Sequence, residues 1–514
     1  MEVAQATPPV VTSLAKPTTE HIRGSSLLLA GKSLAQILEL GAQILLIRYL
    51  SKADYGAYSY ALSIALVGKD LAMFGLGDTL ARFLPLYRER RQYSAILGAI
   101  VLAVAIVASL GLLLAVGINI GLRLSPVLPT SDGQALMLLA IFALLIPLEA
   151  LEGLLTSLLA SFGGTRAIFL RKSLVAPGLK FGLLLLMMFL HKDVLFLTMG
   201  YLLISLGGVL LYAGTFLQLL RGQSRVWPFQ RRLTYPAREL LAFATPLLVT
   251  TVLWLLMESS DALLLGFFRD SAAVADFRAV LPFARLNQGV IITFGVLYMP
   301  LASRLYARLQ RAELAELYWQ TAAWMTVLTF PIFLLTCGFA RATTTDLLGA
   351  QYGDATSILA LLSCGYFFHT ALGFNGLTLK LHGWLRYTLA IDLTAAALNI
   401  AVNLLLIPHW GALGAAIGTA GTMIFHNLLK QFGLWRYTRI AFFERRFLPL
   451  YGAALGLTLG TALIQAVFPV TLWMALPVVV VASAALFWGS RDVLHVSAMF
   501  PELRRVPLIR TIWK

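Results

Sequence analysis

The sequence predicts an all-α, polytopic membrane protein, and three observations predict it. Only 12% of the 514 residues are charged, whereas a soluble domain carries roughly 25% charged residues. Hydrophobic residues make up 59% of the chain, and the mean hydropathy is +0.81. Apolar runs of about 20 residues, the length that one helix needs to cross a bilayer, recur along the chain. We therefore expect lipid to surround most of it.

The apolar runs predict about fourteen transmembrane helices. A proline-containing segment, residues 1–24, precedes them and is predicted to be a cytoplasmic tail, because it lacks the apolar core of a signal peptide. The predicted helices cover residues 26–46, 58–80, 95–120, 134–155, 168–190, 195–220, 240–266, 274–298, 317–339, 357–377, 387–407, 411–434, 451–468 and 471–488.

The basic residues support this topology. Of the 40 Lys and Arg residues, 27 fall on segments that would be cytoplasmic if the N-terminus is inside, and five fall on the outer loops. Lys and Arg concentrate on cytoplasmic loops, so the sequence predicts that both termini face the cytoplasm, in the cytoplasmic membrane. The same distribution explains the net charge of +16 without a nucleic-acid partner.

The chain also repeats itself. Residues 163–166 (Gly-Gly-Thr-Arg) precede a helix that ends in three leucines at 184–186, and residues 383–386 (Gly-Trp-Leu-Arg) precede one that ends in three leucines at 404–406. The offset is 220 residues in both cases. Six helices return the chain to the side where it began, so the two copies are predicted to be parallel, as in one class of transporter.

The repeat predicts the domain organisation. An N-terminal lobe of helices 1–6 covers residues 25–221, and a cytoplasmic linker covers 222–239. A C-terminal lobe of helices 7–12 covers residues 240–437. Residues 438–514 then form helices 13 and 14 and a cytoplasmic tail. Transporter substrate sites usually lie between such repeats, so we expect a cleft there.

Cations within predicted helices are candidates for this cleft, because a charge at the bilayer centre costs about 2.5–3.5 kcal/mol on insertion scales. Lys32, Lys69 and Arg285 come from both lobes and would suit an anionic substrate. Arg278 lies two turns before Arg285 on the same face, and Asp276 is its predicted partner. The alternative for each cation is a structural ion pair.

Acidic and amide side chains in the C-terminal lobe are candidates for coupling to Na⁺ or H⁺. Glu258 and Asp261 share one helix face, and Asp392 shares another with Asn399 and Asn403. The alternative is that the acids pair with Arg285, or with His426 and Lys430 of the next helix. In the N-terminal lobe, Glu149 and Glu152 are predicted partners of Lys180.

The sequence lacks the signatures of an enzyme. No Gly-rich phosphate loop ending in Lys-Ser/Thr occurs, no HExxH motif occurs, and no loop is long enough for a catalytic domain. Cys337 and Cys364 lie within apolar runs and are interpreted as core residues. We therefore expect a transporter without a cofactor, apart from a coupling ion. A multidrug cation antiporter and, less favoured, a membrane glycosyltransferase or polymerase stay open as alternatives.

Two segments resemble a known family. Residues 48–58 (Arg-Tyr-Leu-Ser-Lys-Ala-Asp-Tyr-Gly-Ala-Tyr) resemble the early R-x-L-x-x-x-x-Y-G stretch of polysaccharide and oligosaccharide flippases (Wzx-type). Residues 411–420 (Gly-Ala-Leu-Gly-Ala-Ala-Ile-Gly-Thr-Ala) resemble their twelfth-helix motif. The arrangement of six plus six helices with an appended pair is similar to the multidrug/oligosaccharidyl-lipid/polysaccharide (MOP) exporter superfamily.

The resemblance implies a V-shaped MOP fold and export, by alternating access, of an undecaprenyl-pyrophosphate-linked oligosaccharide. The implied partners are this lipid-linked oligosaccharide, the membrane lipids, and the polysaccharide polymerase and glycosyltransferases of the same pathway. The similar lipid II flippases imply cleft roles for Lys32, Lys69 and Arg285. They also imply a sodium site at Asp261, Asp392 and Asn399.

Overall fold

A computed structural model describes residues 35–124, 133–224 and 233–495, and this part of the chain is helical without strands. A first helix, α1, occupies residues 35–49. The others are α2 (Lys52–Met73), α3 (Leu76–Glu89), α4 (Tyr93–Leu124), α5 (Gly133–Ala143), α6 (Leu145–Ser161), α7 (Thr165–Phe169), α8 (Ala176–Phe189), α9 (Val194–Ser224), α10 (Ala237–Phe268), α11 (Ser271–Arg285), α12 (Gly289–Ala307), α13 (Arg311–Phe333), α14 (Ala340–Ala342), α15 (Thr356–Ala371), α16 (Asn375–Leu381), α17 (Leu385–Thr438), α18 (Leu448–Val467) and α19 (Leu472–Gly489).

The prediction of a multi-pass helical membrane protein is confirmed. Within the described residues, eleven helical segments are long and apolar enough to cross a membrane. Several join two helices across a short turn, such as Lys52–Glu89, which joins α2 and α3. The predicted total of fourteen stays a prediction.

The helix α17 consists of two arms. Gly411 has φ 54° and ψ −132°, a conformation that glycine adopts without the steric cost of a Cβ. The chain reverses there and the two arms run side by side, so that the hydroxyl of Tyr387 on the first arm donates to the carbonyl of Leu429 on the second at 3.0 Å. The arms Leu385–410 and 412–438 therefore correspond to the predicted eleventh and twelfth helices.

The described helices pack into two compact units, which differ from the two predicted lobes. Among the described residues, the first comprises 35–46, 68–117, 141–224 and 233–248, and the second comprises 47–67, 118–124, 133–140 and 249–495. Each unit combines segments that are distant in the sequence, and the predicted lobe boundaries stay a prediction.

The first unit has a polar interior among apolar helices. The buried Arg171 on α8's leading π-helical turn pairs with Glu152 of α6 at 3.2 Å. Glu149 accepts a hydrogen bond from the Ser205 hydroxyl at 2.7 Å. The ammonium of Lys180 instead donates to the Tyr201 hydroxyl at 2.7 Å. The prediction that the two glutamates pair with Lys180 is therefore wrong, because Arg171 pairs with Glu152 and Ser205 binds Glu149.

The second unit has an aromatic core, and more than half of the residues of α13 are buried in it. Trp319 and Tyr318 are buried there, and the Trp319 ring stacks on Phe447 at a centroid distance of 6.3 Å. α15 packs against α11, α13 and α17. This packing positions α10, α11, α15 and α17, which carry the polar residues described next.

The beginning of α2 belongs to this second unit. Lys52 pairs with Asp276 of α11 at 2.8 Å. The predicted pairing of Asp276 with Arg278 is therefore wrong, because residues two apart on a helix do not face each other. At Gly56 the α2 backbone approaches the Ser271 carbonyl so closely that any Cβ would collide with it.

Candidate functional site

A polar cluster in the second unit surrounds the buried carboxylate of Asp261 on α10, whose exposed fraction is 4%. The amide of Asn403 donates to Asp261 Oδ1 at 2.5 Å, and the Thr419 hydroxyl donates to Asp261 Oδ2 at 2.8 Å. Among the described residues, Asp261 has no ion-pair partner. Neutral donors alone therefore satisfy its oxygens.

Amide oxygens extend the cluster. The oxygen of Asn399 accepts from the Ser260 hydroxyl and from the Asn403 amide, both at 3.2 Å. Asn403 Oδ1 is buried and has no hydrogen-bond partner within the described part of the chain. A buried acceptor without a donor costs about 1–3 kcal/mol, so this oxygen marks a place where a ligand would be favoured.

The local structure of α17 explains why these groups meet. Asn399 and Asn403 are four residues apart, so they share a helix face. The reversal at Gly411 returns the second arm along this face and brings Thr419 to Asp261. Gly418 lets the arms approach, because a Cβ there would collide with Asn403 Oδ1.

A second cluster in the same unit contains an ion pair. Arg285 Nη2 donates to Glu258 Oε2 at 2.5 Å, and Arg285 Nε donates to the Tyr366 hydroxyl at 3.1 Å. Both charged side chains are 34% exposed. The pair is neutral in sum, yet it is accessible to a ligand that would compete for the guanidinium.

Arg278 lies two turns from Arg285 on α11. Its backbone carbonyl accepts a hydrogen bond from the Tyr55 hydroxyl at 3.5 Å. Its guanidinium is close enough to Arg285, Asp261 and Glu258 to interact with them electrostatically. Nε of Arg278 is buried without a hydrogen-bond partner among the described residues. Arg278 therefore supplies positive charge near both clusters.

Asp392 lies in neither cluster. It accepts from His426 Nε2 at 2.7 Å and from Lys430 Nζ at 2.9 Å, both on the second arm of α17. Asp392 is seven residues before Asn399, which separates them by about 10 Å along the helix. The alternative of structural pairing with His426 and Lys430 is the one that the structure contains.

The first unit contains one predicted cleft cation within the described residues, Lys69, and Lys32 lies outside them. Lys69 Nζ pairs with the adjacent Asp70 at 3.1 Å, and both side chains are 25% exposed. The flexible lysine stem allows a contact that the directions of the two Cβ atoms alone would disfavour. The cleft role of these lysines stays a prediction.

The structure thus divides the predicted coupling residues among three places. Asp261 and Asn399 meet through Asn403, Glu258 binds Arg285, and Asp392 binds His426 and Lys430. Thr419 and Tyr366 are not among the residues predicted from the sequence. Both side chains are uncharged and do not stand out within an apolar helix. Neither hydropathy nor spacing therefore indicates that these two residues belong to a site.

The Asp261 cluster has the chemistry of a hard-cation site. Carboxylate, amide and hydroxyl oxygens are the ligands that such cations prefer. Among the described residues no group of three or more His, Cys, Asp or Glu side chains converges. A single carboxylate with neutral oxygens suits a monovalent cation better than a transition metal.

Comparison with known structures supports the fold. A solved structure of the lipid II flippase MurJ in an inward closed conformation matches 91% of this chain and 99% of its own, with a TM-score of 0.68 and 15% identity. An inward-facing multidrug resistance MATE family transporter of the MOP superfamily matches 80% of this chain and 98% of its own, with a TM-score of 0.59 and 16% identity. The predicted MOP fold is therefore confirmed.

Sequence comparison identifies the family. An uncharacterized membrane protein from Methanocaldococcus jannaschii is 26% identical over 194 residues, a segment that spans 37% of this chain and 37% of that relative. The family described as polysaccharide biosynthesis protein matches residues 22–306, which is more than half of the chain. This multi-pass membrane protein therefore belongs to the polysaccharide biosynthesis protein family.

Proposed function

We propose that this protein is a flippase that moves an undecaprenyl-pyrophosphate-linked oligosaccharide from the inner to the outer leaflet of the cytoplasmic membrane by alternating access. The family match carries the proposal, and the similarity of the fold to a lipid II flippase along nearly the whole of that protein supports it. Both termini are cytoplasmic in this proposal, and the polymerase and glycosyltransferases of the pathway are its partners.

Arg285 is the proposed contact for the pyrophosphate. A guanidinium binds phosphate oxygens through two parallel N–H donors, and Arg285 is exposed enough to exchange one partner for another. Glu258 neutralises it in the absence of substrate and limits the cost of a charge in the membrane. Arg278, Lys69 and Lys32 add positive charge to the path of the headgroup in this proposal.

The Asp261 cluster is the proposed site of the coupling cation, and Na⁺ is the ion that its oxygen ligands favour. Asn403 donates its amide hydrogen to Asp261 and leaves its own oxygen unpaired. Rotation of this amide by about 180° would exchange the two groups. The carboxylate, the Asn399 and Asn403 oxygens and the Thr419 hydroxyl would then surround the ion. A proton on Asp261 is the alternative.

A transport assay with purified protein in liposomes tests the proposal. A fluorescent undecaprenyl-pyrophosphate oligosaccharide is placed in the inner leaflet, and its exposure to a membrane-impermeant glycosidase outside is followed in time. We expect exposure to increase with the protein and not in protein-free liposomes. Arg285→Gln should slow it at least about ten-fold, because one charge-assisted contact to the pyrophosphate is lost. Equal rates in both liposome types would contradict the proposal.

The same liposomes test the multidrug antiporter alternative, which the similarity to the MATE fold supports. The interior is loaded with a fluorescent organic cation and a sodium or proton gradient is imposed. Gradient-driven efflux of the dye without oligosaccharide exposure would favour the antiporter. Oligosaccharide exposure without dye efflux is the result that we expect.

A further inference from the structure

A pocket lies at one end of the second unit, where α12 and α16 end, α13 begins and α17 ends. Its volume is about 160 Å³. The sequence assigns all of these chain segments to the cytoplasmic side, and the structure brings them together. The residues that matter for its chemistry are Tyr306, Gln310, Arg311, His382, Tyr437 and Arg439.

Two arginines give the pocket positive charge. Arg311 and Arg439 are exposed and form no ion pair within the described part of the chain. By contrast, the nearby Arg446 pairs with Glu316. Glu313 shares the first turn of α13 with Arg311 but is two residues away, and such residues face different directions.

The helix ends do not cancel this charge. The carbonyl end of a helix carries about −0.5 elementary charge, and the amide end about +0.5. Three carbonyl ends and one amide end meet here, so their sum is about −1. The two guanidinium groups contribute two full positive charges, and a net charge of about +1 is left for an anion.

The remaining groups form fixed polar walls. His382 Nδ1 contacts the Thr378 carbonyl at 2.9 Å, so Nδ1 carries the hydrogen, since a carbonyl only accepts. The Tyr306 ring packs edge-on against the His382 ring at 4.8 Å, and the Tyr437 ring stacks on Trp384 at 3.9 Å. These contacts hold two phenol rings and an imidazole around the cavity.

The side chain of Gln310 requires that the ligand also carry a hydrogen-bond donor. Its side-chain oxygen is buried and has no hydrogen-bond partner among the described residues. This oxygen accepts and cannot donate, so the ionised oxygens of a phosphodiester would not by themselves satisfy it. A ligand that joins a phosphate to a hydroxyl or ammonium donor would satisfy both Gln310 and the arginines.

We propose that this pocket binds the phosphodiester headgroup of a membrane phospholipid that carries a hydroxyl donor, such as phosphatidylglycerol. Arg311 and Arg439 bind the phosphate, and Gln310 accepts the hydrogen bond from the glycerol hydroxyl. Basic pockets at the cytoplasmic ends of transmembrane helices bind lipid headgroups in other proteins. The site is distinct from the proposed transport and ion sites, so it stands whether or not the chain moves an oligosaccharide.

Native mass spectrometry of the purified full-length protein with graded phosphatidylglycerol tests the proposal. We expect Arg311→Gln with Arg439→Gln to weaken binding at least about ten-fold. The loss of a single charged contact to the phosphate would already have this effect, and the double variant removes two. Arg308→Gln with Arg386→Gln is the matched control, since it removes the same charge from exposed residues outside the pocket. It should change binding less than two-fold. Equal losses in the two double variants would overturn the proposal.

Three further arms identify the ligand. Gln310→Leu should reduce the preference for phosphatidylglycerol over phosphatidylcholine, and an unchanged preference would overturn the role of the hydroxyl. Inorganic phosphate or an undecaprenyl-pyrophosphate oligosaccharide that displaces the lipid at equal concentration would overturn the assignment to a phospholipid. If the glutamine variants do not fold, Arg311→Lys with Arg439→Lys keeps the charge, and it should retain binding that is weaker than wild type.

Discussion

Asp261 and Glu258 lie three residues apart on α10, yet their environments differ. Glu258 has a guanidinium partner at 2.5 Å and is one-third exposed, whereas Asp261 is almost fully buried among neutral donors. Burial of an unpaired carboxylate is expensive unless a proton or cation joins it. The comparison teaches that position on the helix alone does not distinguish the two carboxylates, and that a directly bonded cationic partner does.

Asp392 extends the comparison. It is 36% exposed and has two cationic or polar partners, His426 and Lys430. It therefore resembles Glu258 rather than Asp261. Of these three carboxylates in the second unit, only Asp261 has hydrogen-bond partners that are all neutral.

The largest expected effect comes from Asp261→Asn. The substitution keeps the shape and removes the charge, so transport driven by a sodium gradient should fall about 100-fold or more in liposomes, the scale of a lost charged ligand of about 2.7 kcal/mol. Asp392→Asn is the matched control and should retain transport within a few-fold. Comparable losses of transport in both variants would show that Asp261 and Asp392 contribute equally, and would contradict the proposed coupling role of Asp261 alone.

The Gly418→Ala variant tests the packing that creates the cluster. A Cβ there collides with Asn403 Oδ1, so the Asn403 amide must leave its hydrogen bonds or the arms of α17 must separate, and we expect about 1–3 kcal/mol of destabilisation. Thermal unfolding in detergent measures this loss. Gly421→Ala is the control, because a Cβ at Gly421 meets no atom within 4 Å. A Gly418→Ala protein as stable as the control would contradict the expectation that packing and hydrogen bonds hold the Asn403 amide in place.

The Asn403→Asp variant sharpens the comparison from the other side. A second carboxylate beside Asp261 raises the attraction for a cation, so the sodium concentration for half-maximal transport should fall about ten-fold, or about 1.4 kcal/mol. Titration of transport against sodium measures it. An unchanged sodium dependence would place the ion elsewhere.

The smallest effect is expected from the exposed ion pair. A double-mutant cycle with Glu258→Gln and Arg285→Gln should give a coupling energy of about 1 kcal/mol in thermal or chemical unfolding. Solvent reduces the value below that of a buried pair. A coupling energy of several kcal/mol would mean that the pair is a structural element and is unavailable to substrate.

The sequence predicts the fold better than it predicts the site, for physical reasons. Hydropathy and loop charges are properties of runs of many residues. They therefore predict the helical membrane fold even where the predicted end of a helix differs from the observed end by several residues. The partner of one charged side chain depends on tertiary packing. Asp392 shares a helix face with Asn399 in the sequence, but it binds Lys430 because the turn at Gly411 folds that lysine back upon it.

Direct binding of radioactive sodium to the purified protein tests the central claim that Asp261 holds the coupling cation. We expect one saturable sodium ion per chain in the wild type and in Asp392→Asn, and none in Asp261→Asn. Sodium binding by Asp261→Asn equal to that of the wild type would contradict the account.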